Sequence, residues 1–140
     1  MKKLLRIYSD GGARGNTGKA AAAFWVEKKG REIFSKSVFL GETTNNIAEY
    51  RGVILGLGWL VKNQTALKRE VTDVEFCLDS ELVANQINGL YRVKNLNIKK
   101  LYDEVNLLIR KIHFKILFKN ISRGKNIRAD FLVNQKLDNT

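Results

Sequence analysis

The sequence predicts an α/β fold, a mixed sheet with helices packed on it, from two features of its pattern. Three short strand-like segments joined by turns fill the first 40 residues, the mark of an antiparallel meander. Helical and strand periods then alternate to the end of the chain, as strand–helix–strand units do. The 140 residues suit one domain, residues 1–140, with a single core. No 20- to 50-residue repeat and no low-complexity linker divides them.

Leu4–Ser9 reads as the first strand, and the glycine-rich run from Gly11 to Gly18 as the turn after it. Ala20–Glu27 is the second strand, Lys28–Arg31 a turn, and Glu32–Leu40 the third strand. Asn45–Lys62 carries Ile47, Tyr50, Ile54, Leu57 and Val61 at spacings of three and four, one face of a helix. Val71–Leu78 is a strand, and Ser80–Asn88 a short helix that Ser80 is suited to cap. Ile98–Lys111 is another helix. A strand follows from Ile112, with Ile112, Phe114, Ile116 and Phe118 on one face. Asn126–Leu137 closes the chain as a helix. Because the first strand starts so near Met1, no N-terminal accessory domain is expected.

Charge narrows the partner. Twenty-five Lys and Arg against 14 Asp and Glu leave +11, which favours a polyanion. Nucleic acid is the leading choice, with ribosome-associated and membrane-surface roles open on charge alone. The single cysteine, Cys77, excludes a disulfide framework and a cysteine-rich zinc site, and suits a reducing cytoplasm. Arg6 and Asp10 interrupt the start before a signal-peptide core forms, and no run approaches the ~18 apolar residues of a membrane span. No membrane association and no obligate protein partner are expected.

Three carboxylates stand at informative places. Asp10 is read at the end of the first strand, Asp79 at the end of the fourth, and Glu49 in the first turns of the long helix. Adjacent strand ends bring Asp10 and Asp79 together, in the crevice where α/β sheets bind ligands. Close carboxylates resist ionising together, and a hard divalent cation removes the conflict. Oxygen-only ligands suit Mg²⁺ or Mn²⁺ rather than Zn²⁺. Any one of them alone is as readily a helix cap or a surface carboxylate. The glycines do not form a P-loop, since Ala13 stands where the first glycine is required and Ala20 replaces Ser or Thr.

At these residues the chain resembles the type I ribonuclease H family. Four segments match in order: Tyr8–Asn16, Thr43–Tyr50, Asp79–Gly89 and Arg123–Asp130. The resemblance implies a five-stranded mixed sheet with the first three strands antiparallel and helices on both faces. It implies an endoribonuclease that hydrolyses the RNA strand of an RNA–DNA hybrid and leaves 5′-phosphate and 3′-hydroxyl ends. It adds a fourth carboxylate, Asp130, and makes Asp10, Glu49, Asp79 and Asp130 ligands of two Mg²⁺ ions, with Mn²⁺ as a substitute. One ion would activate a water and the other stabilise the leaving 3′ oxygen.

Substrate contacts follow from the same resemblance. Backbone groups of Gly11, Gly12 and Ala13 would approach the 2′-hydroxyls that mark RNA. Asn16, Asn46 and Gln86 match positions that touch sugars or bases, and Thr44 and Asn45 match contacts to the DNA strand's phosphate. Plainer roles stand beside these: the glycines shape a turn, Asn45 caps its helix, and Thr44 precedes it. Arg92, Lys94, Lys99 and Lys100 are either a solvated face or a phosphate-facing one.

The chain departs from the family twice. Many members place a basic handle after the region of Gly89, whereas the connection to Ile98 is short here, so a compact form is expected. Many carry a histidine shortly before the last carboxylate, where this chain has Ser122-Arg123. Arg123 is therefore a candidate catalytic residue, and the only histidine, His113, reads as structural. A non-catalytic binding module on this fold, a DNA-directed nuclease of the superfamily and an unrelated basic structural protein are the competing readings.

Overall fold

The computed structural model describes residues 1–140. Strands β1 (Leu4–Arg14), β2 (Gly18–Lys28) and β3 (Arg31–Thr43) form the expected antiparallel meander. Helix α1 (Asn45–Leu67), strand β4 (Asp73–Leu78), helices α2 (Glu81–Ile87) and α3 (Leu96–Arg110), strand β5 (Lys115–Asn120) and helix α4 (Ile127–Asp138) follow. The sheet order is β3-β2-β1-β4-β5, with β4 parallel to both β1 and β5. The segment between α2 and α3 has no helix of its own, in keeping with the short connection read from sequence.

Period-2 alternation along β2 assigns the helices to the two faces. Phe24 and Val26 point into the larger core with Leu5, Ile7, Tyr50, Val53, Leu57 and Phe76. Ala21 and Ala23 point the other way, against Leu132, Val133 and Leu137 of α4. Four small alanines in a row, Ala20–Ala23, are fully buried and leave room for helices on both sides.

The first strand corrects the sequence reading. It does not end at Asp10 but runs on to Arg14, and Gly11 and Gly12 lie in the ladder opposite Ala22 and Ala21. Paired glycines suggest a turn, yet here they admit a helix. A Cβ on Gly11 would lie 2.0 Å from the Ala48 carbonyl oxygen, and one on Gly52 would lie 2.6 Å from that of Asp10. Two bare backbones thus meet where α1 crosses β1, and the contact sets Glu49 beside Asp10. The turn is confined to Gly15–Thr17, with Gly15 at φ +86°.

Other boundaries shift less. α1 continues five residues past Lys62 to Leu67, whose side chain is in the core. Thr44, not Asn45, caps α1, its hydroxyl accepting from the Ile47 N–H at 3.3 Å. β4 begins at Asp73 and β5 at Lys115, although Val71, Ile112 and Phe114 still pack on the core. Ser80 caps α2 as expected, and Asn95 caps α3, which starts at Leu96 rather than Ile98.

Candidate active site

Beyond Ser9–Leu78 the pairing of β1 with β4 stops, and a cleft of about 620 Å³ opens at the shared end of the two strands. Asp10 reaches it from β1, Asp79 from just past β4, and Glu49 from the second turn of α1. One carboxylate oxygen from each lies within 4.8 Å of the others. Asp130, in the first turn of α4, stands exposed on the rim of the same cleft, outside that trio. Its Oδ1 accepts from Asn134 Nδ2 at 3.3 Å.

Asp10 and Glu49 are each only 7% exposed. Burial pushes the Asp10 carboxyl up to about 6, and the negative charges of Asp79 and Asp130 act in the same direction. Burial, then the facing Asp10, raises Glu49 well above the usual carboxylate range. Glu49 Oε1 accepts the Gly11 N–H at 3.1 Å, while its Oε2 is buried with no partner. A buried unpartnered oxygen among crowded carboxylates is the arrangement a hard divalent cation satisfies. The donor set is oxygen only, so it fits Mg²⁺ or Mn²⁺.

Asn126 is a member of the site that sequence reading did not single out. It is 1% exposed, and its Nδ2 donates to Asp79 Oδ2 at 2.8 Å and to the Ser9 carbonyl at 2.9 Å. It therefore ties the β4 carboxylate to β1. Its position before α4 signals a helix cap, but its side chain makes no cap bond.

The candidate substrate residues divide. Gly11, Gly12, Ala13, Asn45, Asn46 and Arg123 line the cleft. The N–H of Gly11 is held by Glu49, and that of Ala13 by Asn45 Oδ1 at 2.8 Å, so these two amides are not free donors for a sugar. The Asn45 N–H in turn donates to Asn16 Oδ1 at 2.9 Å, which ties the turn after β1 to the start of α1. Thr44 and Asn16 flank the cleft without lining it. Gln86 lies outside it, 8% exposed, its Oε1 accepting from the buried Tyr50 hydroxyl at 2.7 Å. Arg123 sits exposed on the 3-10 turn Arg123–Lys125, free of any ion pair. His113 is remote from the site, its backbone N–H bonded to Gln64. Lys99 is paired with Asp103, whereas Arg92, Lys94 and Lys100 stand exposed without carboxylate partners.

Comparison with known proteins adds a family to this geometry. The family described as "Reverse transcriptase-like" matches residues 8–136. A protein of Sulfurovum sp. named "Ribonuclease H" is 37% identical over 114 residues, which cover 74% of this chain and 70% of that protein. The "Bifunctional protein Rv2228c" of Mycobacterium tuberculosis is 34% identical over 134 residues, 94% of this chain but 35% of that protein. The chain thus spans about a third of the length of the mycobacterial relatives it matches. Among solved structures, LC11-RNase H1 in complex with an RNA/DNA hybrid superposes with a TM-score of 0.86 at 36% identity, covering 94% of each chain. No helix of the structure is long and apolar enough to cross a membrane.

Proposed function

The chain belongs to the ribonuclease H family, and from that premise we propose that it hydrolyses the RNA strand of RNA–DNA hybrids as a single domain over residues 1–140. The observation that carries this reading is the buried Asp10, Glu49 and Asp79 trio at the open end of β1 and β4. Asp10, Glu49, Asp79 and the rim Asp130 hold two Mg²⁺ ions, Mn²⁺ serving as a substitute. When bound, the ions supply activation of the attacking water and charge stabilisation at the leaving 3′ oxygen, which leaves 5′-phosphate and 3′-hydroxyl ends.

The chain's own residues position the parts. Asn126 fixes the rotamer of Asp79 from behind. The Gly11 N–H orients Glu49 and leaves its second oxygen buried and without a partner. Asn45 and Asn46 present side-chain amides in the cleft, and Asn16 presents one from the adjoining turn. Amides both donate and accept, so they suit 2′-hydroxyls and base edges. Thr44 and Asn45 face the DNA strand's phosphate. Gln86, its Oε1 held by the Tyr50 hydroxyl, contacts a sugar or base of the hybrid beyond the carboxylate cleft. Arg123 holds the scissile or leaving phosphate with paired charged donors. The free cations Arg92, Lys94 and Lys100 take the part of a basic handle. The buried free thiol of Cys77 fits a cytoplasmic setting.

Incubation with matched labelled hybrid, double-stranded RNA, double-stranded DNA and single strands, in Mg²⁺, Mn²⁺ or EDTA, tests the reading. Cleavage confined to the RNA of the hybrid and abolished by EDTA is expected. A single ribonucleotide embedded in duplex DNA should be cut poorly, because it offers one 2′-hydroxyl where several are contacted. Equal rates on those two substrates would overturn the type I assignment, and hybrid binding without any cleavage would leave a binding module.

A further inference from the structure

At the pole of the sheet opposite Asp10, we propose a second phosphate-binding surface, formed by Lys29, Arg31, Lys68 and Arg69, that holds a nucleic acid duplex other than the segment in the cleft. The choice of nucleic acid as ligand rests on the reading above; the surface itself rests on charge and geometry.

β1 enters the sheet at Leu4 and reaches Asp10 six residues later, so the two poles are about 20 Å apart at about 3.3 Å per residue. Two turns meet at the far pole. The β2–β3 hairpin carries Lys29 and Arg31, and the α1–β4 connection carries Lys68 and Arg69. They are tied side by side by the ion pair of Lys28 with Glu70, and Lys3, just before β1, anchors the second through its Nζ, which donates to the Arg69 carbonyl at 3.0 Å. A hollow of about 550 Å³ lies between the two turns, with Lys29 and Arg69 on its walls.

Of the carboxylates near the two turns, Glu27, Glu32 and Glu70 are ion-paired, while Asp73 accepts only from the Thr72 hydroxyl. Glu70 pairs with Lys28, and Glu27 with Arg6 at 3.4 Å. Lys29, Arg31, Lys68 and Arg69 are all exposed, and none makes an ion pair, so the two adjoining turns present four unpaired cations to solvent. Lys29 sits at φ +53° and Gly30 at φ +76°, in a hairpin turn whose favoured pair is Asn-Gly. A lysine held in that left-handed position keeps a charge where a neutral residue would fit with less strain.

Four cations on two adjoining turns complement a ladder of phosphates and release its counterions. They do not lie on an amphipathic helix, the device that enters a lipid headgroup layer. A duplex with a persistence length of ~50 nm does not wrap from the cleft to the far pole, so the ligand there is a separate segment. Such a surface keeps the enzyme on nucleic acid while the cleft releases a product.

Fluorescence anisotropy with a labelled 20-bp all-DNA duplex in EDTA decides it, since the carboxylate cleft without cations repels phosphate. The full chain is compared with the variant Lys29→Asn, Arg31→Gln, Lys68→Gln, Arg69→Gln, asparagine being chosen to tolerate the positive φ. The expected result is about a tenfold or greater loss of affinity, with the log–log salt slope smaller by about 3.6. The variant's kcat on a short hybrid in Mg²⁺ should match wild type. If the quadruple variant melts early, Arg31→Gln with Arg69→Gln should still lower the slope by about 2. Unchanged affinity and slope would overturn the inference. So would a variant that loses binding to phosphatidylglycerol vesicles while retaining the duplex, which would make the surface a lipid one. Failure of the wild type to cut hybrid would sink the nuclease reading and leave this binding comparison standing.

Discussion

Asn126 places one side-chain amide between two acceptors, Asp79 Oδ2 and the Ser9 carbonyl, in a spot water does not reach. Asn126→Ala removes both bonds and leaves a buried carbonyl unpaired, at about 1–3 kcal/mol. Because Asp79 is then free to turn, the Mg²⁺ concentration for half-maximal cleavage should rise several-fold, an effect that stability loss alone does not produce. An Mg²⁺ titration of the rate checks this, and an unchanged midpoint would reduce Asn126 to packing. Arg123 is the opposite case, exposed and unpaired at the cleft mouth. Arg123→Ala should lower kcat by about tenfold with little change in KM, and Arg123→Lys should restore part of it, since ammonium lacks the paired fork. Steady-state kinetics on one fixed hybrid with wild-type kcat in the alanine variant would leave Arg123 as a surface charge. Asp10, Glu49 and Asp79 are legible as a set, from where they fall along the chain, and Asp130 only through the family resemblance. Asn126 is not, because an asparagine before a helix reads as a cap, and only the fold shows that it reaches back to another strand.

Helix α1 and strand β1 approach so closely that neither tolerates a methyl group at the crossing. Gly11 and Gly52 are the reason, and the residues they bring together are Asp10 and Glu49. Sequence reading placed Gly11 in a turn because a glycine pair breaks a strand on average. It cannot register that a helix 40 residues on needs the space. The same limit explains the ends of α1 and β5. Past Lys62 the apolar period is interrupted by Asn63, Gln64 and Thr65, yet Leu67 still docks on the core. Ile112 and Phe114 have the strand alternation and pack on the core, but ladder pairing begins only at Lys115. Gly52→Ala should therefore force α1 off β1, at about 1–3 kcal/mol of stability, and lower kcat by separating Glu49 from Asp10. Gly58→Ala is the internal control, in the same helix with nothing within 4 Å of the added Cβ. It should be neutral or stabilise by about 0.5–1 kcal/mol, with activity unchanged. Thermal melts and rates of the pair decide whether the crossing or mere helix propensity matters.

A chain of charge +11 folds around a pocket of buried negative charge, and that opposition governs how the whole molecule responds to pH. Asp10 takes up its proton at about 6 when folded, against the ordinary 3.8 of an unfolded chain. Between those values the native state binds more protons than the unfolded state, so the metal-free protein loses stability as pH rises through the window. Glu49 is raised in the same direction and adds to the loss. Glu75 acts oppositely: Lys119 at 2.7 Å, and then Arg6, hold it below the usual carboxylate range, so its contribution is lost as pH falls. Comparing wild type with Asp10→Asn cancels Glu75 and isolates the pocket. Without metal at pH 7.5 the variant should melt about 3–6 °C above wild type, because it removes an unfavourable buried charge, and the gain should vanish near pH 4. Mg²⁺ should reverse the order. If it binds the native carboxylates alone, it should raise the melting temperature of wild type at pH 7.5 and much less at pH 4.5, where protons already occupy the site. It should not shift Asp10→Asn comparably, and that variant should retain less than about a tenth of the cleavage rate. Melting curves at the two pH values, with Mg²⁺ and with EDTA, carry the test. A metal-free Asp10→Asn protein that melts below wild type at pH 7.5 would mean that the Asp10 charge supports the fold instead of opposing it, and the pocket would then have no need of a cation.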